Sequence, residues 1–315
     1  LGVDEAVLDE ALNHRKLAGN RTVVLTGTNL LGTTAVTFGA APATFTVDSD
    51  TTITATTPAG AVGTVDVTVV TPGGASSPAG TGNDYRYFDI PAVTSLSTGV
   101  GPVAGGTTLT ISGTNLDGVT KVSFGTTDVT TFASVSDTTI VLTTPMHAIA
   151  TVDVVVTTPG GTATVTDGFR FFGIPAVTSV SPANVSLAGG SVTITGSNLA
   201  GVTTVSFGSV DVSSFASVAD NQIVVTAPAR FTADTVDVTV TTPGGTSSIA
   251  GTGNDLRFVA PPTITSVSPA AGPLTAGTTV TLVGTDFVDV TSVTFDGVAG
   301  TQVVVASETS LTVKA

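Results

Sequence analysis

Apolar and small polar residues alternate along this chain in short runs. In TLTISG (108–113) Leu109 and Ile111 point one way, in VSFG (122–125) Val122 and Phe124 do, and in VDVVV (152–156) Val152, Val154 and Val156 do. Period two over a few residues predicts strands with one face buried. Between residues 91 and 174 the pattern predicts strands at 92–97, 107–112, 119–124, 127–132, 138–144, 151–157 and 163–171. Seven short strands separated by glycine- and proline-containing turns predict an antiparallel β-sandwich.

The same pattern returns at a fixed period. GTNL (27–30), GTNL (113–116), GSNL (196–199) and GTDF (284–287) are each followed by VTFG (36–39), VSFG (122–125), VSFG (205–208) or VTFD (293–296). The glycines that open these turns are 86, 83 and 88 residues apart, at 27, 113, 196 and 284. TVDVTVVTPGG (64–74), TVDVVVTTPGG (151–161) and TVDVTVTTPGG (235–245) keep phase, as do YRYF (85–88), FRFF (169–172) and LRF (256–258). Openings at IPAVTS (90–95), IPAVTS (174–179) and PPTITSVSP (261–269) complete the frame of a repeat array.

This progression, with its AGGT, TITG, NL, VSFG and TTPGG steps in order, resembles the IPT/TIG immunoglobulin-like domain over nearly the whole chain, most clearly in repeats 2 and 3. The resemblance implies early-set immunoglobulin-like sandwiches. Such domains occur in tandem on bacterial surface proteins, in receptor ectodomains, beside carbohydrate-active enzymes and in Rel-type transcription factors. The expected organisation is an all-β chain of tandem sandwiches forming an elongated rod. A helical segment spans 1–19, and the repeats span 20–90, 91–174, 175–260 and 261–315.

Both ends depart from the pattern. Where repeat 1 should open, Val3, Val7, Leu8, Ala11, Leu12 and Leu17 lie at helical spacing, acids precede bases, and Gly19-Asn20 follows as a cap. The expectation is a short helix and a first repeat without its opening strand. Repeat 4 stops at Ala315 before its VDV and TPGG segments, which would leave strand edges and core open. Either the chain belongs to something longer, as its start at Leu1 suggests, or a partner supplies strands, for instance a second copy adding head to tail.

Composition narrows the functions. Of 315 residues 41% are hydrophobic, enough for buried cores, and the abundance of β-branched residues disfavours helices. Nine Lys and Arg against a net charge of −14 leave no basic cluster to displace counterions from phosphates, so nucleic acid and anionic membrane surfaces are disfavoured partners. No apolar run is long enough for a membrane span, and no leader peptide is visible. The absence of cysteine removes disulfides and thiolate metal sites.

Candidate chemistry is sparse. Gly27 and Asn29, Gly113 and Asn115, Gly196 and Asn198, and Gly284 suit tight turns, since glycine and asparagine adopt positive φ. A phosphate cradle would need a helix start and a cation, and a strand follows instead. Phe38, Phe124, Phe207 and Phe295 share one inward position and are expected core anchors. TPGG should form a hairpin turn. Asp66, Asp153 and Asp237, and Arg86, Arg170 and Arg257, recur on outward positions as solvating charges, with a charge pair as the alternative. Asp84, Asp89 and Asp255 lie near repeat boundaries and are calcium candidates, but they offer two or three oxygens where calcium takes six to eight. His14 and His147 stand in unrelated contexts, and no nucleophile–base set interrupts the repeats. No cofactor is implied.

The expected function is therefore structural and non-enzymatic: a semi-rigid stalk or fibre on a bacterial surface, in an extracellular filament or on a virion, with protein–protein self-assembly or attachment to a larger structure. One alternative is an adhesin binding glycan or protein through loops that differ between repeats, such as MHAIA (146–150) and ARFTAD (229–234). With no Trp and two Tyr, stacking platforms for sugars are scarce. Another alternative is a spacer in a larger secreted enzyme.

Overall fold

The computed structural model describes residues 2–4, 19–76, 81–273, 275 and 277–315. Repeat 2 gives the pattern. One sheet orders its strands Ala92–Leu96, Thr108–Thr114, Thr139–Thr143 and Ser134–Val135; the other orders Val100–Pro102, Gly161–Phe172, Ala150–Thr158, Lys121–Phe124 and Thr127–Val129. Period-two patterning places this register. Leu109 and Leu142 face each other, Ile111 faces Ile140, and Phe124 faces Val154. All five of these apolar side chains apart from Leu142 are fully buried, and Leu142 is 1% exposed. Burying the inner face of each sheet against the other is the main stabilising contribution, at about 1.5–3 kcal/mol per large aliphatic or aromatic side chain.

Repeat 3 repeats this arrangement. Its short strand Asn184–Ser186 runs parallel to Asp255–Val259, which closes the second sheet. The equivalent short strand in repeat 2, Val100–Pro102, was not expected from sequence, because three residues with a glycine and a proline carry no alternation.

Repeat 1 departs from expectation. Gly2–Asp4 forms a strand antiparallel to Thr22–Thr26, with Gly2 opposite Thr26 and Asp4 opposite Val24. The first repeat therefore has an opening strand, and Val3 belongs to it rather than to a helix. The edge of Thr22–Thr26 presents free ladder groups that a neighbouring strand satisfies. The rest of the expected helix, 5–18, lies outside the described residues.

In repeat 4 the first sheet is intact, in the order Thr263–Ser268, Thr279–Thr285, Ser310–Lys314 and Thr301–Ser307. The second consists only of the pair Thr294–Phe295 and Val298–Ala299. Consequently Phe295 is only partly buried, unlike Phe38 (2% exposed), Phe124 (0%) and Phe207 (0%). An open cleft of about 430 Å³ lies between Val280 and Phe295.

By internal packing the chain divides into two compact bodies, Leu1–Phe171 and Phe172–Ala315.

Candidate functional site

In repeats 2 and 3 the turns singled out in the sequence lie against the linkers that lead into their own repeats. In repeat 2, Asn115 holds φ at 57° and donates its side-chain amide to the carbonyl of Ile90 at 3.0 Å. The left-handed backbone is what Asn tolerates better than other branched or long residues. Beside it, the ring of Phe88 rests on Gly118, where an added Cβ would lie 3.1 Å from the ring and 3.4 Å from Pro159 Cδ. The main chain of Asp89 crosses Gly160 so closely that a Cβ there would come 1.8 Å from the Asp89 oxygen. The Gly160 amide is held by the buried Thr158 hydroxyl at 3.1 Å. GTNL and TPGG together form a cup around Phe88-Asp89-Ile90.

The second body contains the same cup, residue for residue. Asn198, φ 56°, donates to the carbonyl of Ile174 at 3.0 Å. A Cβ at Gly201 would lie 2.8 Å from the Phe172 ring and 3.5 Å from Pro243 Cδ, and one at Gly244 2.0 Å from the Gly173 oxygen. The Gly244 amide is held by Thr242 Oγ1 at 3.1 Å. Gly113, Gly196 and Gly284 also sit beneath main chain, with Cβ positions 2.0, 2.0 and 1.9 Å from the oxygens of Ala92, Ala176 and Thr263. These glycines are thus required by close approach of the opening strand.

Charge tethers the junctions within each body. Arg86, on the last strand of repeat 1, pairs with Asp117 in the turn of repeat 2 at 2.7 Å and stacks over Phe88 at 4.6 Å. Arg257, on the last strand of repeat 3, grips Glu308 of repeat 4 with both guanidinium nitrogens, and Asn184 Nδ2 donates to Asp289 at 2.7 Å. The Arg257 bonds hold the Glu308 carboxyl below its ordinary value and raise the guanidinium's own. Arg86 and Arg257 therefore reach across to the following repeat. The sequence signal was present in Asp117 and Glu308, but they lie outside the repeated motif.

The calcium candidates are placed apart. Asp84 faces Asp66 across two strands, Asp255 faces Asp237 in the same way, and Asp89 accepts the Ile90 amide at 2.8 Å. Asn254 donates to Asp237 at 3.3 Å, and Asp153 accepts the Asp167 amide at 2.8 Å. Among the described residues no group of three or more His, Cys, Asp or Glu side chains is arranged to hold a metal.

The variable loops are pinned from beneath. His147 stacks on Phe171 at 4.7 Å. At the equivalent place in repeat 3, Arg230 stacks over Phe258 at 5.0 Å, pairs with Asp234 at 2.7 Å and donates to the Phe207 carbonyl at 3.0 Å. Repeat 1 uses Tyr87, whose hydroxyl donates to the Pro58 carbonyl at 3.0 Å. Outward from these anchors stand Met146 (77% exposed), Ile149 (58%) and Phe231 (103%).

Comparison with known proteins gives a family. No curated protein matches the chain. Among solved structures, the plexin A4 extracellular region aligns over 94% of this chain and 33% of its own, at 16% identity and TM-score 0.36. The chain thus spans about a third of that relative. SGBP-B from a xyloglucan utilization locus of Bacteroides uniformis aligns over 63% of this chain and 58% of its own, at 22% identity and TM-score 0.26. SGBP-B from a mixed-linkage glucan locus of Bacteroides ovatus, in complex with a heptasaccharide, aligns over 89% and 81%, at 16% identity and TM-score 0.26. The IPT/TIG domain family matches residues 14–87, 91–172, 175–258 and 262–315, and with four such sandwiches in tandem the chain belongs to that family.

Proposed function

We propose that this chain is a non-enzymatic structural segment of a surface or extracellular protein, its repeats acting as a stalk or fibre that spaces other parts. IPT/TIG domains are generally non-catalytic modules. The domain bounds we assign are 20–90, 91–174, 175–260 and 261–315. The observation that carries the reading is the short linker clasped by the repeat it enters. Only residues 88–91 separate the strand ending at Tyr87 from the one starting at Ala92, and Phe88, Asp89 and Ile90 are each held by the cup. A proline follows, which fixes φ and removes freedom. A spacer needs such joints, because a flexible linker would turn the same repeats into independent beads.

A Gly-Ser insertion at 89–90 should broaden the distribution of distances between repeats 1 and 2 in small-angle scattering. Unchanged scattering would sink the stalk reading.

A second reading is adhesion through the loops carrying Met146, Ile149 and Phe231, because these exposed apolar side chains project from anchored loops. A preformed aromatic tip suits the apolar face of a neutral glycan or a protein pocket. An array screen in which Phe231→Ser abolishes binding would favour this reading.

A further inference from the structure

We infer that repeat 1 carries a docking site for the terminal strand and linker of another IPT/TIG repeat, a segment of the form Phe-x-Ile-Pro. The inference rests on the cup geometry and does not depend on the stalk reading.

The cup of repeats 2 and 3 is reproduced in repeat 1. Asn29 has φ 58°, against 57° and 56° at Asn115 and Asn198. Gly32 has φ 79°, against 73° and 74° at Gly118 and Gly201. A Cβ on Gly32 would meet Pro72 Cδ at 3.5 Å, matching the 3.4 and 3.5 Å from Gly118 to Pro159 and from Gly201 to Pro243. The Gly73 amide is held by Thr71 Oγ1 at 3.3 Å, as Thr158 and Thr242 hold Gly160 and Gly244. The receiving groups are therefore fixed before anything binds, which lowers the ordering cost of association.

The exposure differs. Gly160 and Gly244 are buried beneath their linkers and Asn115, Asn198, Pro159 and Pro243 are half-buried, whereas the counterparts Gly73, Asn29 and Pro72 in repeat 1 are exposed, with Leu31 beside them at 64%. Residues 1–18 contain neither Phe nor Pro, so they do not provide a segment of the required kind.

The occupant is identified by the two copies already in place. Phe88-Asp89-Ile90-Pro91 and Phe172-Gly173-Ile174-Pro175 share the ring, the aliphatic residue and the proline, and differ at x. That tolerance follows from the contacts: the ring seats on a glycine, while two main-chain carbonyls supply the rest. Asp117 of repeat 2 is replaced by Leu31, so the Arg86-type ion pair has no counterpart here. Recognition in repeat 1 would rest on the ring and on the carbonyl that accepts the Asn29 side-chain amide.

The test is a titration of the peptide FRFFGIPA, copied from residues 169–176, into the ¹⁵N-labelled full chain. Saturable shifts are expected at the amides of residues 29–32, 71, 73 and 74. The peptide carrying Phe172→Ala should lose them. In the chain, Asn29→Gly keeps the left-handed backbone but not the amide donor, and should weaken binding several-fold while leaving the remaining spectrum unchanged. No saturable shift at millimolar peptide, shifts only elsewhere, or equal binding by the alanine peptide would overturn the inference.

Discussion

Asn198 donates its side-chain amide to the main-chain carbonyl of Ile174 at 3.0 Å from a left-handed backbone, φ 56°. One residue thus serves two purposes that are separable by mutation, closing a turn and holding the linker. Its counterpart Asn115 does the same for Ile90.

At Asn115 the two purposes predict different costs. Asn115→Gly keeps the conformation and loses the hydrogen bond, about 0.5–1.5 kcal/mol. Asn115→Ala loses the bond and adds left-handed strain of about 1 kcal/mol. Hydrogen exchange at core amides of repeat 2, such as Leu109 and Ile140, should therefore rank wild type above glycine above alanine. Equal values for both variants would mean that backbone strain contributes nothing.

The four equivalent phenylalanines should not cost the same when truncated. Phe124 is fully buried, with Phe169 and Phe171 at 5.5 and 6.0 Å, so Phe124→Ala should cost about 3–5 kcal/mol. Phe295 borders an open cleft and loses fewer contacts, so Phe295→Ala should cost clearly less. Urea denaturation of the two variants, followed by hydrogen exchange in each repeat, measures the difference.

What was legible in the sequence was what repeats with a period. Leu109, Ile111, Val122 and Phe124 announced their faces by alternation, because only a half-buried strand makes period two useful. Asn115 announced a turn through its chemistry. That the same turn holds Ile90 was not legible, since 25 residues separate the two and no pattern links them. The cross-repeat role of Arg86 and Arg257 was hidden for a related reason: their partners, Asp117 and Glu308, occupy different positions in their repeats. The opening strand Gly2–Asp4 was masked by the helical spacing of the residues after it. Phe38, Phe124 and Phe207 are buried and Phe295 only partly, because burial of Phe295 depends on strands beyond its own sheet pair.

Acid should loosen the junction of repeats 3 and 4. Arg257 depresses the Glu308 carboxyl, so the folded-state value lies below the unfolded one. The pair's contribution is then fully present above the unfolded value and is lost as pH falls through the folded one. Because the pair is largely exposed, global stability should change little. An NMR titration of the Glu308 side chain should give a midpoint below the ordinary glutamate range, returning to it in Arg257→Gln. An unshifted midpoint in the wild type would remove the tether from the argument.

Gly160 and Gly161 are adjacent, yet alanine should act on them by different routes. At Gly161, φ is 148° and an added Cβ meets only Ile90 and Pro91 side-chain atoms at 3.6–3.8 Å, so the penalty is backbone strain inside repeat 2. At Gly160 the Cβ would lie 1.8 Å from the Asp89 oxygen, a contact that main chain relieves only by moving. Gly160→Ala should therefore lift the linker from the cup while the core around Phe124 keeps its packing. The chain has no cysteine, so spin labels at Thr44→Cys and Thr131→Cys, both exposed, report the spacing of repeats 1 and 2 without competing sites. The expected result is a broadened distance distribution for Gly160→Ala and a wild-type distribution with reduced stability for Gly161→Ala. The reverse outcome would show that the cup shapes its own turn and does not hold the linker.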